Sequence, residues 1–193
     1  VVASVVGVGP AAAGPATERL LAATAVGRVL LVGVSGGIDP AMAIGTLLSP
    51  DVVVDRASGG EHRPTRPVRG GRGGTLVTCE TLATGDSTVA DLAARGVAAV
   101  DMETSAVAAA CERHGTPWGV VRAISDRPDG DLVDDVVFGL VKADGSTDGR
   151  AVARLLARRP WEVRRLARIA RDTRTALAAL TKVALADLSA PGS

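Results

Sequence analysis

The sequence predicts an α/β protein, a single three-layer α/β/α domain built on a mixed, mostly parallel sheet. Short runs of branched apolar residues alternate with longer Ala/Leu-rich stretches, the pattern of strands alternating with helices. A chain of 193 residues amounts to about one domain, so one fold over residues 1–193 is expected. A hydrophobic fraction of 47% against 22% charged places it among folded globular chains, away from the disordered regime.

Taken in order, residues 1–6 (VVASVV) read as a first strand, residues 11–23 as a helix and residues 28–34 as a second strand. Residues 51–55, 75–78, 98–101 and 119–124 read as further strands, with helices over 89–95 and 104–114. Residues 57–74, dense in Gly, Pro and Arg, read as a mobile loop, and residues 127–148 as a second irregular stretch. After Pro160 a basic amphipathic helix is predicted over residues 160–186. Val163, Leu166, Ala170, Thr173, Leu177 and Leu180 recur at spacings of three and four, which predicts one buried stripe. Between residues 150 and 182 stand ten basic residues against Glu162 and Asp172, a balance suited to a solvated face or to peripheral contact with a membrane.

Composition removes several classes of function. A net charge of +1 provides no field to recruit nucleic acid. Cys79, Cys111, His62 and His114 lack metal-ligand spacing, so no metal site and no organic cofactor are expected. No apolar run reaches membrane-spanning length and no charged region precedes a hydrophobic one at the start, which reads as cytoplasmic.

The densest chemistry lies between residues 84 and 126. Asp86, Glu103 and Asp126 each stand where a predicted strand meets a loop, the place where an α/β sheet offers groups to a ligand. Any one of them also fits a helix cap or turn. The runs Ala98-Ala99-Val100-Asp101-Met102-Glu103-Thr104-Ser105-Ala106-Val107-Ala108 and Gly115-Thr116-Pro117-Trp118-Gly119-Val120-Val121-Arg122-Ala123-Ile124-Ser125-Asp126 resemble the signature of the nucleoside phosphorylase and nucleosidase superfamily. Gly7-Val8-Gly9-Pro10-Ala11-Ala12-Ala13 resembles that family's early turn, and Gly33-Val34-Ser35-Gly36-Gly37-Ile38-Asp39 its Gly-rich active-site loop. Thr84-Gly85-Asp86 matches a further segment, and Ile44-Gly45-Thr46-Leu47-Leu48 fills the family's Gly-Asp position with Thr46 in place of Asp. The tail, with Asp144-Gly145, Arg158-Arg159-Pro160 and residues 166–172, is most similar to the hopanoid-associated branch.

The resemblance implies cleavage of the N-glycosidic bond of a purine nucleoside, or of an adenosylated hopanoid precursor, and a homo-oligomer. Asp126 would be the catalytic acid at purine N7, a contribution of roughly 10² to 10⁴ in rate. Glu103 would hold the ribose hydroxyls and Met102 the sugar face, while Asp101, Ser35, Gly36, Gly37, Thr88, Val89 and Ser125 would line the substrate. Arg122 would pair with a nearby carboxylate. Val34 replaces the serine that holds phosphate in family phosphorylases, which favours water as nucleophile and leaves phosphate as a co-substrate in reserve. Thr88 replaces the aromatic residue that covers the base, and the family's first strand, with its water-activating acid, would precede Val1.

Three other readings fit parts of the chain. Gly33-Val34-Ser35-Gly36-Gly37 has the form of a serine-hydrolase elbow around Ser35, although Pro40 follows where a helix should start. Gly7-Val8-Gly9-Pro10-Ala11-Ala12 has the form of a loose dinucleotide fingerprint, without an acid after the second strand. A homologue that binds a nucleoside without turning it over is the non-enzyme reading.

Overall fold

The computed structural model describes residues 1–81, 86–127, 139–140 and 148–189. Among them the chain is a single α/β domain. The elements are α1 (Pro10–Ala23), β1 (Val29–Gly37), β2 (Leu47–Leu48), β3 (Val52–Asp55), β4 (Glu61–His62), β5 (Thr75–Thr78), α2 (Asp86–Ala94), β6 (Val97–Asp101), α3 (Thr104–Arg113), β7 (Trp118–Asp126), α4 (Gly149–Arg158), a 3₁₀ turn (Pro160–Glu162) and α5 (Val163–Ser189).

Seven strands form one sheet in the order β2-β7-β1-β6-β5-β3-β4. Its long ladders are parallel, β1 with β7 and β3 with β5 with β6. The antiparallel contacts are short, and one of them governs the site. β1 meets β6 only where Gly36 faces Val100 and Gly37 faces Ala99, so two parallel blocks running in opposite directions join at a two-residue seam.

Alternation along the strands sorts the layers. Leu31, Val120, Ile124 and Leu76 turn to the face covered by α1 and α3, where Ala13, Val107, Ala108, Cys111 and the fully buried Trp118 complete the main core. Leu30, Val34, Val121 and Ala123 turn the other way, to Ala176 and Leu180 of α5. Val77 and Val97 meet Leu92 of α2 on that second face. Aliphatic packing does almost all of this, as the scarcity of aromatics requires.

Several elements depart from the sequence reading. Residues 1–6 join no ladder and are mostly exposed, because β-branched composition makes a strand only where a partner strand takes up its backbone groups. Residues 35–37, part of the segment likened to a Gly-rich loop, continue β1 beyond the strand read over 28–34, their backbone paired to β7 and β6. The stretch over 57–74 contains β4 and is tied down: the Arg66 N–H donates to the Trp118 carbonyl, Val68 is buried, and its N–H donates to Ser49 Oγ. Gly119 permits this, since a Cβ there would lie 2.2 Å from the Arg66 carbonyl oxygen. The helix α4 was absent from the sequence reading; Asp148 caps it by accepting from the Arg150 and Ala151 N–H groups.

The stripe expected on the last helix is rotated. Ala176 and Leu180 are buried and Ile169 and Val183 half-buried, whereas Val163 and Leu177 face solvent. Thr84, Gly85, Asp144 and Gly145, and the irregular stretch over 128–138 and 141–147, lie outside the described residues.

Candidate active site

Glu103 follows β6 and Asp126 closes β7, and these strands flank β1 on either side. The sequence reading put both carboxylates at one rim of the sheet. β6 runs opposite to β1 and β7 but overlaps β1 only at its carboxyl end, so Gly36 faces Val100 of β6 on one side and Asp126 of β7 on the other, and Glu103 follows three residues beyond Val100. From β7, Arg122 reaches across β1 toward Glu103.

Arg122 sits opposite Gly33 in the β1/β7 register, and its guanidinium crosses β1 at that point. A Cβ on Gly33 would lie 1.9 Å from Arg122 Nη1, so only glycine leaves the passage open. Beyond it Arg122 Nη2 lies 2.5 Å from Asp101 Oδ2 and 3.5 Å from Glu103 Oε2, while Nε and Nη2 both donate to Thr104 Oγ1. Glu103 Oε1 in turn accepts from the Gly9 N–H at 2.9 Å, at the amino end of α1, where the helix dipole favours negative charge.

Asp101 is not a ligand group in this arrangement. Its side chain is 1% exposed, and its oxygens accept from Thr78 Oγ1, Thr104 N and Thr104 Oγ1 besides Arg122. Thr78 Oγ1 also accepts from Ser105 N, and Ser105 Oγ donates to Asp55. A buried polar chain thus runs from β3 through β5, α3 and β6 to Arg122, with each member hydrogen-bonded as burial demands. Burial pushes the Glu103 carboxyl above the usual carboxylate range, against the opposing pull of Arg122 and the Gly9 N–H. Asp55 moves the other way, held low by the Ser58 N–H and by Ser105 and Ser58 hydroxyls against a smaller effect of burial.

On the β7 side of β1, Ser125 Oγ donates to Asp126 Oδ1 at 2.7 Å and approaches the Ser35 carbonyl at 3.4 Å. Asp126 Oδ2 lies 3.3 Å from where a Cβ on Gly36 would stand. A bulge between Ser35 and Gly36 brings Gly36 opposite Asp126. Arg122 and Asp126 share one face of β7, four residues and about 13 Å apart at the usual strand rise.

The other residues singled out from the sequence fall around these two carboxylates. Gly36 and Gly37 form the seam with β6, and Met102 and Glu103 are half-buried in the bend after it. Thr88 and Val89 lie on α2, with Val89 packed on Ile38, Val77 and Val97. Ser35 Oγ is buried and without a hydrogen bond, while His62 pairs with Glu112 and His114 with Glu18, so no histidine serves it as a base among the described residues. A cavity of about 280 Å³ lies beyond the seam, between Asp39, Met42, Arg72, Gly74 and Ala98, and neither carboxylate lines it. Sequence reasoning missed Gly9, Thr78, Thr104 and Gly33 as site-forming residues. The Gly-Val-Gly turn and the threonines flanking Asp101 were the available signals.

Comparison with known proteins agrees with this architecture. Residues 66–159 match the family model described as Phosphorylase superfamily. No curated protein matches it significantly. Among solved structures it is similar to 5′-methylthioadenosine nucleosidase of Arabidopsis thaliana in apo form, at 17% identity and a TM-score of 0.66 over 95% of this chain and 71% of that one. It is also similar to the 5′-methylthioadenosine/S-adenosylhomocysteine nucleosidase of Colwellia psychrerythraea in complex with adenine (23%, TM-score 0.57, 79% and 75%). A third similar structure is futalosine hydrolase of Helicobacter pylori (20%, TM-score 0.56), of which the match covers 62% of this chain and 65%, less than two thirds, of that one. At these identities the likeness is one of fold.

Proposed function

We propose that this chain is an enzyme that cleaves the N-glycosidic bond of a purine nucleoside. The observation that carries the reading is the pair of anchored carboxylates on either side of β1: Asp126 oriented by Ser125 beside Gly36, and Glu103 held between Arg122 and the Gly9 N–H. Asp126, protonated, donates to purine N7 so that the base leaves neutral. Glu103 accepts from the ribose hydroxyls and places negative charge near the anomeric carbon as positive charge develops there. Its burial strengthens that interaction by excluding water. Gly36, having no side chain, lets a planar base approach β1.

Water is the favoured nucleophile, because Val34 offers no hydroxyl to a phosphate and turns away from this face, toward α5. The similar structures named for nucleosidases and a futalosine hydrolase support the same reaction class. The finer readings of an adenosylated hopanoid precursor as substrate and a homo-oligomer as the working form rest on the sequence resemblance, and the cytoplasm as its location rests on the apolar and charged pattern of the sequence. Incubation with adenosine, methylthioadenosine and an adenosylated lipid tests the proposal. Free base without phosphate is the expected result, base only with phosphate would make the enzyme a phosphorylase, and binding without release would make it a nucleoside-binding homologue.

A further inference from the structure

The buried side of α5 is now accounted for: it lies on β7 and β1 through Ala176 and Leu180. Its outward side combines features that a merely solvated helix does not need. Val163, Leu177, Leu185 and Leu188 are exposed there, and Trp161 in the turn before it is 69% exposed. Arg164, Arg171, Arg174 and Lys182 share that side by helical phase. The carboxylates of this region, Glu162, Asp172 and Asp187, are half-buried and engaged with Arg165, Arg171 and Arg28. An outward face of α5 about 40 Å long therefore presents leucines among cations and no acidic residue. Arg158 and Arg159 extend the charge next to Trp161.

We propose that this face is a docking surface for an anionic lipid bilayer, with α5 lying along the interface and Trp161 as its anchor. The charge answers acidic headgroups, at about 1 kcal/mol for each basic residue near the surface. The aliphatic residues and the indole belong at the boundary of headgroup and acyl chain. No helix among the described residues is long and apolar enough to cross a membrane, so the contact is peripheral. A second copy of the chain fits poorly, because a two-fold contact through this face would set arginines against arginines. Nucleic acid fits poorly as well, because exposed leucines gain nothing against phosphates. The surface lies on the face of the sheet opposite Arg122, so docking leaves the glycosidic site uncovered.

The chain carries its own reporter. Trp118 is 1% exposed in the core, so of the two tryptophans only Trp161 can change its surroundings on docking. Vesicles of phosphatidylglycerol mixed with phosphatidylcholine should sediment the protein and shift its fluorescence to the blue, and vesicles of phosphatidylcholine alone should do neither. Combined Arg164→Glu, Arg174→Glu and Lys182→Glu substitution should weaken partitioning about a hundredfold and leave thermal unfolding unchanged. Leu177→Ser with Leu185→Ser should abolish the blue shift while keeping a weak, salt-sensitive association. Equal binding to both vesicle types, or binding to neither, overturns the proposal. So does a concentration-dependent dimer that the double serine variant dissolves, which would assign the face to a second copy.

Discussion

Glu103 shows how one buried side chain joins stability to ligand binding. Its folded pKa is raised, so the stability it contributes is present while it is protonated and is lost as pH climbs through that raised value. Asp55 has a lowered folded pKa and the opposite sign, with stability present at neutral pH and lost as pH falls through that value. Glu103→Gln should therefore raise the melting temperature relative to wild type at neutral pH, with a gain that vanishes in acid, while weakening nucleoside binding. A pH series of thermal melts on both proteins checks this, and a gain independent of pH would contradict it. Gly33→Ala tests the passage of Arg122. A methyl group at 1.9 Å from Nη1 must expel the guanidinium, leaving Asp101 buried without its cation, at roughly 3 to 5 kcal/mol. Chemical denaturation of the variant measures that loss.

At the scale of elements, α5 separates what sequence shows from what it hides. Its existence, its basic character and Leu180 as a core residue were legible from spacing alone. Its phase was not, because Val163, Ala170 and Leu177 satisfy helical spacing as well as Ile169, Ala176 and Val183 do, and only the sheet beneath decides. Leu180→Ala should cost about 2 to 5 kcal/mol, as for a fully buried leucine, and Leu177→Ala less than about 0.5 kcal/mol. Equal costs measured by denaturant unfolding would return the helix to the phase its spacing suggested. The strands β3, β5, β6 and β7 were legible because they are short apolar runs bounded by turns. Residues 1–6 have the same composition but no partner strand among the described residues, and composition carries no information about partners.

In the whole molecule, the antiparallel seam between β1 and β6 organises the site. It reverses one parallel block against the other, so two residues that each follow a strand end arrive from opposite directions. Motifs identified Glu103 and Asp126 one at a time, because each sits in a local run of characteristic residues. The link through Arg122, Gly33 and Asp101 depends on a register between distant strands, which no local run encodes. The most direct measurement is kcat/KM for methylthioadenosine hydrolysis by wild type and Asp126→Asn, with correct folding of both shown by their melts. Adenine release without phosphate, lowered about 10² to 10⁴-fold by the substitution, is the predicted result. Release that persists undiminished in Asp126→Asn would contradict the role assigned to the end of β7.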